Sequence, residues 1–263
     1  TSNRVNGNTD KMVAWQWKAN GGTRTTNTES GSNPGGGYQA NTTAGFSIVD
    51  YTGTGSAGTM AHGLGAVPHV MIVKCRSVGH HWRVYHHKNT SAPETDALSL
   101  NQTDATNDQD YWWNDTAPTS SVFTLGNGDS GLNDDGETHI AYCFTEIQGY
   151  SKFGGYTGNN STDGVYIYCG FKPQWVLIKN RGASEDWYLY DIARADTKGN
   201  QVDIAIQANS TSEFNTSADL DFLSNGFKCR GDSGVINDTG SFVYMAFAEH
   251  PFVSSEGVPV TAR

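Results

Sequence analysis

The chain has 263 residues, with 17 Lys plus Arg against 27 Asp plus Glu and a formal charge of −10; its length suggests two domains at roughly 100–150 residues each, and the shortage of cationic charge argues against binding to nucleic acid or an anionic membrane. Charged residues make up 17% and aromatic residues 11%, and nine Leu beside 31 Gly exclude helical bundles and coiled coils in favour of strands joined by tight turns. The longest apolar run, residues 242–248, has seven residues, short of the roughly 20 that cross a bilayer as a helix.

In chain order, residues 12–18 read as a strand carrying Trp15 and Trp17, followed by a Gly/Ser/Thr/Asn-rich linker or extended arm to residue 43. A lone strand cannot bury two tryptophans, so these rings are expected to pack on something upstream or on another chain. Beyond the arm the chain repeats itself. Residues 51–53 (Tyr-Thr-Gly) return at 156–158, residues 68–76 return at 173–181, and Trp82-Arg83-Val84-Tyr85 returns as Trp187-Tyr188-Leu189-Tyr190, all displaced by 105 positions. Asn133-Asp134 and residues 141–146 return at Asn237-Asp238 and residues 244–249, with the offset slipping to 104 and then 103. A unit of about 100 residues exceeds a solenoid rung and is long enough to bury its own core.

Two tandem antiparallel β-sandwiches of jelly-roll or lectin-like type follow, giving an all-β chain with an arm at 1–43, a first repeat at 44–150, a second at 151–253 and a tail at 254–263. Within a repeat, Val70 to Lys74 is a run without alternation, as expected for a central strand covered on both faces. Trp82 and Val84 share one face, which Trp187 and Leu189 repeat, so that face reads as the core, and the two tryptophans read as equivalent anchors. Residues 138–146 and 241–249 are the last long strands, each preceded by an Asn-Asp turn.

Several clusters invite a chemical reading. His80, His81, His86 and His87 could suggest a metal, yet the second repeat has Glu185, Asp186, Asp191 and Ile192 there, which favours exposed strand-end histidines. Asp104, Asn107, Asp108 and Asp110 could ligate calcium but lack the Gly and terminal Glu of an EF-hand loop, and read as a solvated loop. Asp134, Asp135 and Glu137 sit in one turn rather than across a cleft, unlike a glycosidase pair. The four cysteines show no CxxC spacing and read as free thiols. No cofactor or metal is expected. The loop bearing Tyr111, Trp112, Trp113 and Asn114 has no aromatic counterpart in the second repeat. Rings flanked by amides suit sugars, so it is the candidate ligand-binding site.

Residues 44–49 with 51–53, Gly63-Leu64-Gly65 with Pro68, residues 114–120, 149–153 and 222–228, and the ending at 247–252 resemble a family of repeat domains of uncharacterised function in virion proteins of tailed bacteriophages, many marine or cyanobacterial. The resemblance implies a noncatalytic virion surface protein, a tail-fibre, spike or appendage subunit assembled in the host cytoplasm. Expected partners are further copies of itself, a trimer being favoured, other virion proteins through the N-terminal arm, and host-surface glycan. The alternatives are a capsid decoration or head-fibre protein and a polysaccharide depolymerase.

Overall fold

The computed structural model of the chain describes residues 14–20, 22–127, 131–194, 199–210 and 220–251. These residues are all-β, with no α-helix among them. The first part of the chain carries β1 (Thr25–Asn27), β2 (Gly36–Asn41), β3 (Phe46–Thr52), β4 (Gly58–Ala61), β5 (Val70–Cys75), β6 (Arg83–His86), β7 (Asp96–Ser99), β8 (Asn107–Asp108), β9 (Val122–Leu125) and β10 (Thr138–Phe144). The second carries β11 (Ser151–Thr157), β12 (Tyr166–Tyr168), β13 (Pro173–Asn180), β14 (Tyr188–Asp191), β15 (Gln201–Val202), β16 (Ala205–Gln207), β17 (Leu220–Leu223), β18 (Gly226–Cys229) and β19 (Ser241–Ala248).

The strands form four antiparallel sheets: β1-β2-β3-β10-β5-β6-β7-β8, β11-β19-β13-β14-β16, β12-β18-β17-β15, and the pair β4-β9. They pack as successive layers. Alternate residues of β5 and β10, among them Met71, Val73, Ala141 and Cys143, face Met60, Phe123 and Leu125 of the β4-β9 pair. The opposite face of the same sheet, with Phe46, Val70, Val84 and Phe144, packs on Trp175, Leu177, Leu189, Met245 and Phe247 of the second repeat. That repeat then turns Val176, Ile178, Tyr188, Tyr190 and Phe242 towards Ile167, Leu220, Phe222 and Phe227 of the four-stranded sheet.

This layering explains the uninterrupted apolar run in β5. Period two sends successive side chains to opposite faces, so a strand apolar at every position needs a core on each side. It also corrects the expected core face. The face bearing Val84, Trp187 and Leu189 is the seam between the repeats, while Tyr85, and Tyr188 with Tyr190, fill each repeat's own core. Trp187 is buried and donates its indole N–H to Ser99 O across the seam at 2.9 Å. Its counterpart Trp82 is only half-buried, so the two are not equivalent anchors.

The expected arm is corrected as well. Residues 25–27 and 36–41 are β1 and β2, and β2 pairs with β3 over its whole length, Gly36 opposite Tyr51. The glycines there answer to close packing rather than to linker freedom: a Cβ on Gly36 would stand 2.0 Å from Asp50 O. Residues 14–20 carry no strand, and Met12 and Val13 of the expected strand, like the tail at 254–263, lie outside the described residues. The boundary expected at residue 150 falls in the turn before β11.

The Asn-Asp turns are clamps common to both repeats. Asn133 accepts from Thr54 N at 3.0 Å and donates to Ser56 O and Gly126 O at 2.7 and 3.0 Å. Asn237 accepts from Asn159 N at 3.2 Å and donates to Ser161 O and Gly231 O at 2.8 and 2.9 Å. Next to them, Tyr51 OH donates to Leu132 O and Tyr156 OH to Ile236 O, both at 2.6 Å.

Candidate functional site

The loop chosen from the sequence does not present its rings. Trp112 and Trp113 are 2% and 1% exposed and belong to the first repeat's core. Trp113 donates its indole N–H to Asp96 O at 2.8 Å and meets Tyr85 edge-on, while the Arg83 guanidinium lies 4.1 Å over the Trp112 ring. The chain turns back directly after them, with Asn114 and Asp115 at φ 52° and 44°, a conformation that Asn and Asp tolerate. Tyr111 is half-buried and Asn114 exposed. Trp112 and Trp113 are therefore core rings with no face open for a sugar to stack on.

The histidines divide between surface and seam. His81 is exposed, but His86 is 2% exposed and pairs through Nε2 with Tyr244 O of the second repeat at 3.1 Å. Burial holds its pKa down to about 3. His87 Nε2 lies 2.8 Å from Phe153 O, and its ring stands edge-on to His69 with centroids 4.6 Å apart. His86 and His87 are thus seam ties, not exposed strand-end residues. All four cysteines are free and buried, and burial pushes Cys169 and Cys229 up to about 12, so these two thiols remain protonated. In the acidic loop, Asp104, Asp108 and Asp110 are exposed and residues 107–108 form an edge strand. Of the turn carboxylates, Asp134 points inwards to His139 and His80, whereas Asp135 is exposed, so they do not face one another across a cleft.

A concave surface opens where the two repeats meet. This groove of about 610 Å³ is lined by Trp15, Trp17, Ile48, Ile72, Trp82, Leu100, Tyr142, Trp175, Leu177, Leu189 and Met245 among others. Its rings form a ladder on the first repeat: Tyr142 lies between Phe46 and Trp82, nearly parallel to both at 3° and 15°, with centroids 6.5 and 6.4 Å away. Register produces the ladder, because Tyr142 on β10 sits between Ile48 on β3 and Ile72 on β5 with its side chain on the seam face. Trp15 and Trp17 close one end. Trp17 meets Phe144, Trp175 and Phe247 edge-on, and Trp15 donates to Asp191 Oδ2 at 2.6 Å. These two tryptophans pack on their own chain, contrary to the expectation of a foreign partner.

The sequence did not single out this groove, since its residues come from six separate strands, the loops beside β6 and β7 and the segment before β1. The half-buried state of Trp82 beside the buried Trp187 is its mark. Fold and groove define an all-β protein made of two related units that share a sheet-to-sheet seam. The chain belongs to the family described as Domain of unknown function (DUF7483), whose model matches residues 1–251. No curated protein matches the chain, and no solved structure matches it. Among the described residues no helix is long and apolar enough to cross a membrane.

Proposed function

We propose that the chain is a noncatalytic bacteriophage virion surface protein, a fibre, spike or appendage subunit assembling with copies of itself, and that it contacts host-surface glycan at the seam groove. The observation carrying the glycan contact is the half-buried pair Trp82, just before β6, and Tyr142, on β10, held nearly parallel. Aromatic faces pack against the C–H faces of sugar rings, and rings already held in place lose little entropy on binding. The virion assignment rests on the sequence signature, and tandem jelly-roll-like sandwiches are the finer fold it carries. Trp15 and Trp17 are engaged within the chain and so lend no support to the decoration-protein alternative.

Trp82→Ala should weaken retention on immobilised host polysaccharide about tenfold, equivalent to about 1.4 kcal/mol, with reducing ends absent from wild-type digests. Unchanged retention would remove the groove from the reading. Gold-labelled antibody to the chain should decorate intact particles of the phage that encodes it, and particles left bare would overturn the virion assignment.

A further inference from the structure

The first repeat holds a buried polar cluster that the shared fold does not require. Pairing of β5 with β10 places Cys75 opposite His139, and the turn before β10 brings in Asp134. All three are buried, and one ligand atom from each lies within 4.8 Å of the others. His139 Nε2 is 3.3 Å from Asp134 Oδ2, and His80 Nε2, from a side chain 33% exposed, is 3.5 Å from Asp134 Oδ1. We propose that Cys75, Asp134 and His139, closed by His80, form a transition-metal site of the zinc type.

Hydrogen bonding already orients these groups. His139 Nδ1 lies 3.0 Å from Glu137 O. A carbonyl only accepts, so Nδ1 carries the proton and Nε2 is the nitrogen turned to the carboxylate. His139 Nε2 and Asp134 Oδ2 face each other at 3.3 Å, the spacing of two ligand atoms on one tetrahedral Zn²⁺. Asp134 Oδ1 is buried without a hydrogen bond, its contact with His80 being too long or poorly aligned to count as one. Imidazole tied to a backbone carbonyl through its far nitrogen is the usual outer support of a metal ligand.

The second repeat is the internal control. Phe242 replaces His139 and stacks on Tyr156 with centroids 4.9 Å apart, as His139 stacks on Tyr51 at 5.0 Å. Asn180 replaces Cys75, lying opposite Phe242 as Cys75 lies opposite His139. Its amide Nδ2 donates to Gly234 O at 2.8 Å and approaches Asp238 Oδ1 at 3.5 Å. The same backbone is therefore content with a phenyl ring and an amide. Thiolate, imidazole and carboxylate together suit Zn²⁺, whose tetrahedral ligand atoms stand about 3.3–3.8 Å apart given bonds of about 2.0–2.3 Å. On binding, the Cys75 thiol proton passes to solvent.

The test uses the full chain, stripped with a chelator and titrated with Co²⁺ and then Zn²⁺. One Co²⁺ per chain should bind with a thiolate-to-cobalt charge-transfer band, and Zn²⁺ should displace it. His139→Phe, the second repeat's own solution, should keep the near-ultraviolet circular dichroism of a folded chain and lose at least about 100-fold in Zn²⁺ affinity. Should His139→Phe fail to fold, Cys75→Asn, also borrowed from the second repeat, should abolish the band. Absence of the band in the folded wild type, or its persistence in either folded variant, would overturn the site.

Discussion

The two repeats keep one framework and differ in how deeply they place equivalent side chains. Tyr51 and Tyr156 make the same 2.6 Å hydrogen bond to the residue before the clamp asparagine. By contrast, Lys74 is half-buried and donates to Cys75 O, while Lys179 is fully buried and donates to Thr103, Asn180, Ala183 and Glu185 carbonyls at 2.8–3.1 Å. Thr103 belongs to the first repeat, so this lysine is a strap across the seam, and desolvation lowers its pKa to about 8. Trp187 is likewise inserted where Trp82 stays on a rim. A duplicated unit can thus preserve its turns and strand register while its faces diverge according to what covers them.

The sharpest break of the comparison is at the tryptophans. Trp187→Ala and Trp113→Ala should each cost about 3–5 kcal/mol in urea unfolding, the range for deleting a buried ring, whereas half-buried Trp82→Ala should cost clearly less. Equal losses at Trp82 and Trp187 would make their environments equivalent after all. Acid comes next. The unfolded chain protonates His86 near pH 6.5, but the folded ring resists until about 3. Between these values the unfolded state binds more protons, so acidification removes about 1.4 kcal/mol per pH unit from this residue. The stability is complete above about pH 6.5 and lost towards pH 3; His86→Gln should flatten that part of the profile. Lys179→Met leaves buried carbonyls unpaired and should cost about 1–3 kcal/mol, against about 0.5 or less for Lys74→Met. The smallest effects belong to Tyr51→Phe and Tyr156→Phe, each about 1 kcal/mol and alike within error. A clear inequality between these two would show that the clamps are not shared in energy as they are in geometry.

Much of the framework was legible because it is local or recurs. Offsets of 103–105 exposed the duplication, and the Asn-Asp turns marked the last strands. Which face of β6 or β14 formed a repeat's own core was not legible, because both faces of these strands are packed and period two cannot tell two cores apart. Strands β1 and β2 escaped notice because Thr, Gly and Asn carry little apolar signal, and their order comes from backbone pairing with β3. The Trp112-Trp113 loop misled for a different reason. Flanking Asp and Asn look the same whether rings face water or a turn at positive φ folds them inward. The Cys75–Asp134–His139 cluster draws on residues 59 and 64 positions apart and shows no motif, yet aligning the repeats sets Cys beside Asn180 and His beside Phe242, a contrast that could have revealed it.

At the seam, Phe144 meets Phe247 with ring centroids 6.1 Å apart, and these are equivalent residues of the two repeats. Contact between a residue and its own counterpart is the signature of a twofold axis, so the chain is organised like a homodimer whose subunits have been joined in one polypeptide. The surface such a unit would offer to a second copy is already occupied from within. Among the described residues, the faces that join the halves are therefore buried by the chain itself.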